Sequence, residues 1–290
     1  MTSPVVAVLG TGTMGAGMVR SLRRADLPVR MWNRDPAKAA ALTDTGAAAF
    51  DSPAEAVRGA DVVVTMLLDA DAVLDVIAQA APASGTVWVQ AATVGVEGAQ
   101  RTVDAARELG LVLVDAPVLG TRKPAEDGAL VVLASGPDDV RDRVAPVFDA
   151  IGSRTLWLGP AGAGSRLKLV CNSWVFTVTA GVAQAIALAR GLDLDPRDFL
   201  AAVEGGPLDA GYVHVKGDLM LRETYPVSFG LTGAIKDAGL IQTALQTSGV
   251  HDRLTAAVLE TMDAAAGQLD DPAGVDLAAL IGGFTGGADR

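Results

Sequence analysis

The sequence predicts an α/β chain in two parts: a doubly wound, mostly parallel sheet with its helices, followed by an all-helical half. Three observations predict it. Short valine-rich runs alternate with amphipathic segments from residue 4 to about residue 158, and buried apolar strands joined by helices read as βαβ units on a parallel sheet. A cluster of Gly159, Pro160, Gly162 and Gly164 then ends that pattern. Beyond it no strand pattern recurs, and long alanine- and leucine-rich helical segments take over. Such a change of element type argues for two structural domains, placed at residues 1–162 and 163–290.

In chain order, strands are expected at residues 5–10, 29–32, 61–66, 86–89, 111–115, 130–134 and 155–158, and helices at 14–25, 37–45, 53–58, 70–80 and 96–109. The last two strands, separated by residues 137–150, are read as an extension of the same sheet. In the second half, helices are expected at 165–190, 196–204, 212–221, 233–248 and 253–267, with a frayed glycine-rich tail from Gly282 onward.

Half of the 290 residues are hydrophobic and only 4% are aromatic, so a sizeable core packs through small side chains. A net charge of −11 and a pI near 4.6 argue against nucleic acid or an anionic membrane as the main partner. Cys171 is the sole cysteine, which excludes an intramolecular disulfide and fits a reducing cytosol. The apolar start at Val5 lacks a basic n-region, so no signal peptide is expected. The stretch 167–189 approaches membrane-spanning length. Lys168, Asn172 and Gln184 within it favour a buried helix over an anchor. No metal-ligand spacing surrounds either histidine. His214 has no visible carboxylate partner and reads as a surface or interface residue.

The run from Val5 to Leu9 is followed by Gly10, Thr11, Gly12, Thr13, Met14 and Gly15. A glycine motif between a strand and a helix lets the backbone turn tightly and approach a pyrophosphate, which then meets the positive end of the helix dipole. This makes the first domain a Rossmann-type dinucleotide site rather than an ordinary glycine turn. NAD-preferring sites place an acid at the end of the second strand. Here Asn33 stands there and Arg34 follows, able to bond a 2′-phosphate. NADP(H) is therefore the expected cofactor, with Asp35 as a complication if its charge points inward.

After the glycine break, Gly162 through Asn172 opens the longest apolar helix. Lys168 and Asn172 are four residues apart and share one helical face, so their polar ends can converge on one point. A lysine that gives a proton to a carbonyl oxygen, beside a reduced nicotinamide, would make a reductase. The bland alternative is a structural lysine snorkelling from a helix end. Cys171 reads as a small core residue, and Trp174 and Phe176 as packing groups.

These motifs, in this order, resemble the β-hydroxyacid dehydrogenase family, which is 3-hydroxyisobutyrate dehydrogenase-like, and particularly its glyoxylate and succinic semialdehyde reductase branch. The resemblance covers nearly the whole chain. Gly10–Gly15 is similar to the cofactor motif; Trp32, Asn33 and Arg34 to that branch's NADP signature; residues 115–130 to its substrate-binding loop. Gly162 through Asn172 is similar to the catalytic helix motif, and Lys236, Asp237 and Leu240 to the downstream Lys-Asp segment. The resemblance implies a long interdomain helix, a helical C-terminal domain that mediates oligomerisation, and hydride exchange at a carbonyl or alcohol carbon. By position it implies Lys168 as general acid or base, Asn172 as a substrate holder, and Thr93 as a contact to both nicotinamide and substrate. It also implies cofactor contacts from Leu67 and Lys236, and closure over the site by Phe229 and Asp237. Asp237 has a structural alternative, pairing with a lysine.

Two positions depart from the family. Leu119 replaces the serine that holds the substrate carboxylate, leaving Gly120 and Thr121, with Arg122 or Lys123, to anchor it. Gln90, Ala91 and Ala92 replace an Asp-x-Ser run before Thr93. A bulkier or less polar substrate is therefore open, and an NADPH-dependent imine reductase on the same plan is the nearest rival. A non-catalytic NADP-binding protein is the rival of another class. The helix from 165 is longer than one helical half readily wraps, so a homodimer or higher homo-oligomer is expected.

Overall fold

The computed structural model describes residues 3–284, and the chain divides into two compact units, one ending at Lys168 and the other starting at Leu169. In the first unit, β1 (Val6–Leu9), β2 (Val29–Trp32), β3 (Ala48–Ala49), β4 (Val62–Thr65), β5 (Val87–Gln90) and β6 (Val112–Asp115) form one sheet, ordered β3-β2-β1-β4-β5-β6. Every pairing is parallel, so the carboxyl ends of all strands share one edge. This is the doubly wound Rossmann-type order, with its reversal between β1 and β4.

Alternation along β1 builds both layers at once. Val6 and Val8 enter one core with Met18 and Leu22 of α1 (Thr13–Arg24). Ala7 and Leu9 enter the other with Ile77 of α4 (Ala70–Ala80) and Trp88. Burial of each large side chain contributes about 1.5–3 kcal/mol. Trp88 is fully buried and its indole N–H donates to Thr65 Oγ1 at 2.9 Å.

The helix expected over 37–45 is two pieces, α2 (Pro36–Ala40) and a 3-10 turn at Thr43–Thr45 that ends on left-handed Gly46. The helices α3 (Pro53–Val57) and α5 (Gly95–Glu108) fall where the pattern places them.

The expected extension of the sheet is a separate one. β7 (Val118–Leu119), β8 (Leu130–Ala134) and β9 (Gly152–Trp157) form a three-stranded sheet in that order, antiparallel then parallel. Proline explains the break. Asp115 bridges Ser135 with two backbone bonds, and Leu133 N donates to Pro117 O at 2.9 Å. Pro117 has no N–H to return that bond, so the ladder lapses there and resumes at Val118–Val132. Two helices have no counterpart among the expected elements: α6 (Arg122–Asp127) and α7 (Arg141–Ile151). The first packs on α1 at Gly17, where a Cβ would lie 2.7 Å from that of Ala125.

The second unit holds most of α8 (Ala163–Gly191), then α9 (Pro196–Val203), α10 (Gly211–Arg222), α11 (Leu231–Thr247) and α12 (Arg253–Ala266). A 3-10 segment, Leu277–Phe284, follows, so Gly282 belongs to an ordered turn; the tail from 285 lies outside the described residues. Leu169, Phe176, Ala180, Ala183 and Ile186 form the buried stripe of α8 within this unit's core. α8 is long and apolar enough to cross a membrane by length and composition; its buried stripe packs in this unit's core, and Asn172 is buried as well. Trp174, expected to pack, is 66% exposed, because it lies off the stripe. Cys171 is half-buried. His214 does have a carboxylate partner, five residues back: its Nε2 lies 2.7 Å from Asp209 Oδ1.

The sharpest electrostatic feature of this unit is Lys216, buried against Asp276 at 2.5 Å. Asp276 also accepts from the Ser228 and Phe229 N–H groups at 3.0 Å each and from Ser228 Oγ at 2.7 Å. Burial pushes the Asp276 carboxyl up, but Lys216 and the Phe229 and Ala278 N–H groups outweigh it and hold the group below the usual carboxylate range. Lys216→Met strands the carboxylate and is expected to cost about 3–5 kcal/mol in urea unfolding. A depressed carboxylate stabilises the fold above its unfolded pKa and loses that contribution as pH falls through the folded value. Without Lys216, burial raises the Asp276 carboxyl, so the variant sheds its stranded charge by protonation; the difference between wild type and Lys216→Met is therefore expected to be largest near neutral pH and to shrink steadily as pH falls through the carboxylate range.

Candidate active site

The carboxyl edge of the large sheet gathers the cofactor residues expected from the sequence in the first unit; Lys236 lies in the second. Register pairs Leu9 with Trp32 and Thr65, and Thr65 with Gln90. The residues that follow these strand ends, Gly10, Asn33, Leu67 and Thr93, therefore lie along one edge. Gly10 has φ +104°, and a Cβ there would sit 2.3 Å from Met66 O, with Leu67 Cδ2 at 2.8 Å. Only glycine fits between these strands. Gly15 lets α1 approach, since its Cβ would meet Gly10 O at 1.9 Å. Gly12 differs: no protein atom lies within 4 Å of an added Cβ, so the space over the helix start is open.

Two further observations suit a bound pyrophosphate at this turn. Gly12 begins α1 with no side-chain cap, leaving the N–H groups around Thr13 and Met14 to an outside acceptor. Thr11 is buried, and its Oγ1 has no hydrogen-bond partner among the described residues. Asn33 braces the turn by accepting from Thr11 N at 2.9 Å and donating to Asp35 O at 3.0 Å. The Asp35 carboxylate caps α2 by accepting from Ala37 N at 3.1 Å, while Arg34 is exposed.

Thr93 is half-buried in the turn between β5 and α5. Gln90, which stands in the departure from the family pattern, is fully buried and shapes that turn. Its Oε1 accepts from Ala92 N at 2.7 Å and its Nε2 donates to Ala92 O at 2.9 Å. Leu119 ends β7, Gly120 turns at φ +123°, and Thr121 starts α6. Arg122 and Lys123 instead pair with Glu126 at 2.9 Å and Asp127 at 2.5 Å, one turn on along the same helix.

Lys168 closes the first unit, 9% exposed, in the second turn of α8. Asp115, expected as a strand end and as the first residue of the loop similar to the family's substrate-binding loop, organises the turn before Lys168. Its Oδ2 accepts from Ser165 N at 2.8 Å, Gly162 N at 3.1 Å and Ser135 Oγ at 3.1 Å, and its Oδ1 accepts from Ser165 Oγ at 2.6 Å. Burial pushes the Asp115 carboxyl up, and these donors pull it part of the way back. The sequence does carry a signal for it: an acid closing an otherwise apolar, doubly covered strand has to be bonded.

In the second unit, Asn172 Nδ2 donates to Asp237 Oδ2 at 2.8 Å, and Lys236 Nζ lies 2.7 Å from Asp237 Oδ1. Asp237 thus pairs with a lysine and also fixes the Asn172 amide. Phe229 packs on Phe176 with ring centroids 5.7 Å apart, and its N–H is held by Asp276. Asn172, Phe229, Lys236 and Asp237 therefore lie in one unit, and the remaining site residues in the other.

Residues 5–159 match the NAD-binding domain of 6-phosphogluconate dehydrogenase, and residues 162–282 match the NAD-binding domain of NADP-dependent 3-hydroxyisobutyrate dehydrogenase. The chain belongs to the β-hydroxyacid dehydrogenase family. Among its family relatives is glyoxylate/succinic semialdehyde reductase 2 of Arabidopsis thaliana, 32% identical over 254 residues, which are 84% of this chain and 71% of the relative. The 3-hydroxyisobutyrate dehydrogenase of Mycobacterium tuberculosis, solved with L-serine, superposes with TM-score 0.86 at 26% identity, covering 98% of this chain and 100% of that one. An imine reductase from Pseudomonas sp. shares the fold, with TM-score 0.64 at 22% identity over 98% of this chain and 100% of its own. As a β-hydroxyacid dehydrogenase family member, the chain is a nicotinamide-dependent oxidoreductase acting on hydroxyl or carbonyl groups.

Proposed function

We propose that this enzyme uses NADPH to reduce an aldehyde or keto acid, with Lys168 as the proton donor. The observation that carries this reading is a lysine buried near the start of α8, in the same unit as the glycine turn and one helical turn before Asn172. The bound nicotinamide supplies the hydride. Lys168 donates a hydrogen bond to the carbonyl oxygen, stabilises the charge that builds there, and then gives up its proton. Asn172 holds a polar group of the substrate, its amide oriented by Asp237. Gly120 and Thr121 receive the far end of the substrate, and Thr93 lines the nicotinamide side.

Small acids such as glyoxylate and succinic semialdehyde are the first substrates to test, after the names of the plant relatives. Leu119 favours a second reading, an imine or another substrate without a carboxylate, because a half-buried leucine supplies no hydrogen bond there. Oxidation of NADPH across aldehydes, keto acids and cyclic imines separates the two. On the best substrate, Lys168→Ala is expected to lower kcat by about 10²–10⁴-fold with NADPH affinity retained. Undiminished turnover would remove Lys168 from the reaction.

NADPH is preferred over NADH in this reading, since Arg34 is exposed beside Asn33 and the Asp35 carboxylate is engaged in capping α2. A charge-assisted bond contributes about 1.5–3 kcal/mol, so Arg34→Ala is expected to raise the KM for NADPH by roughly ten- to a hundredfold and leave that for NADH unchanged. Equal effects on both cofactors would count against it. Self-association is proposed through α8, which exposes Val170, Trp174 and Leu188 at 60–66%. Sedimentation is expected to give a dimer or larger, and a sharply monomeric species would refute this.

A further inference from the structure

The start of α8 is held in an uncommon way. Helices are usually capped by a side chain from the residue just before them. Here the cap comes from far along the chain, from Asp115 at the end of β6 and Ser135 just after β8. Gly162 N and Ser165 N donate to the Asp115 carboxylate, and Gly164 N donates to Ser135 Oγ at 2.9 Å. Ser165 Oγ adds the shortest bond of the group, 2.6 Å to Asp115 Oδ1. Asp115 and Ser135 are locked to each other by reciprocal backbone bonds of 2.8 and 2.9 Å. The turn also lies directly on strand backbone: a Cβ on Gly164 would sit 2.1 Å from Leu133 O and 2.9 Å from Asp115 O. No flexible side chain separates helix from sheet there, so the helix start has one seat.

We propose that Asp115 is a positioning residue for the reaction: through Ser165 and Ser135 its carboxylate fixes the first turn of α8 and thereby the place of the Lys168 ammonium. This rests on Lys168 being the proton donor. Ser165 and Lys168 are three residues apart, neighbours on one helical face, and both are buried. A carboxylate at a helix N-terminus is also favoured by the helix dipole, and four donors offset part of the cost of its removal from water. Displacing a reacting group by about 1 Å costs on the order of a hundredfold in rate. Loss of the anchor should therefore appear in the chemical step and not in binding.

The test uses the full-length enzyme, with NADPH and whichever of glyoxylate or succinic semialdehyde it reduces faster, assayed well below each variant's melting temperature. Ser165→Ala removes one donor and leaves the backbone bonds, so it serves where Asp115→Asn does not fold. Ser165→Ala is expected to lower kcat about tenfold, with the substrate KM and the NADPH Kd within threefold of wild type. In a Lys168→Ala background the same change should cost nothing further, since its effect passes through the lysine. The inference is overturned if Ser165→Ala keeps kcat within twofold of wild type, or if its loss follows weaker NADPH binding. It is equally overturned if the loss persists in full without Lys168. Wild-type turnover by Lys168→Ala alone would instead sink the underlying proton-donor reading, so the two failures are distinguishable.

Discussion

A carboxylate removed from water is costly unless donors replace the solvent, and the seat of the Lys168 helix depends on how Asp115 meets that condition. It lies at the end of β6, where the large sheet stops and the smaller one begins. Its donors come from the turn after β8 and from the first residues of α8. One side chain therefore joins the last strand of the cofactor sheet, the second sheet and the helix that carries Lys168. Without it, the Gly162 and Ser165 N–H groups would lose the acceptor that holds them.

The same edge of the sheet serves the cofactor for a related reason. Parallel strands present their carboxyl ends together, and the order reverses between β1 and β4, opening a crevice at the glycine turn. Gly10 and Gly15 are required by backbone contacts, whereas Gly12 leaves open space. Asn33 braces the turn from the neighbouring strand.

Much of this is legible in the residues. Apolar runs such as Val62–Thr65 mark strands covered on both faces, and the glycine spacing after Leu9 places the dinucleotide turn. Local patterns carry no information about partners far along the chain, and the departures from expectation follow from that. Asp115 and Ser165 are fifty positions apart. Pro117 is visible in the sequence, but its effect, splitting one ladder between two sheets, depends on which strand lies opposite. Trp174 reads as core by its hydrophobicity and is exposed because of where the buried stripe of α8 falls. Asp209 lies only five residues from His214, yet the loop that turns it back has no periodicity to reveal it. Lys168 and Asn172 stand out for the opposite reason: two polar groups one turn apart on an apolar helix need a shared purpose or a buried partner.

The most direct measurement is a crystal structure of the enzyme with NADP⁺ and an unreactive analogue of its best substrate. Lys168 Nζ is expected at about 3 Å from the analogue's oxygen, with the carbon bearing it roughly 3–3.5 Å from nicotinamide C4 and the Asp115–Ser165 bonds intact. An amine turned away from that oxygen, or held by another group beyond hydrogen-bonding reach, would contradict Lys168 as the proton donor.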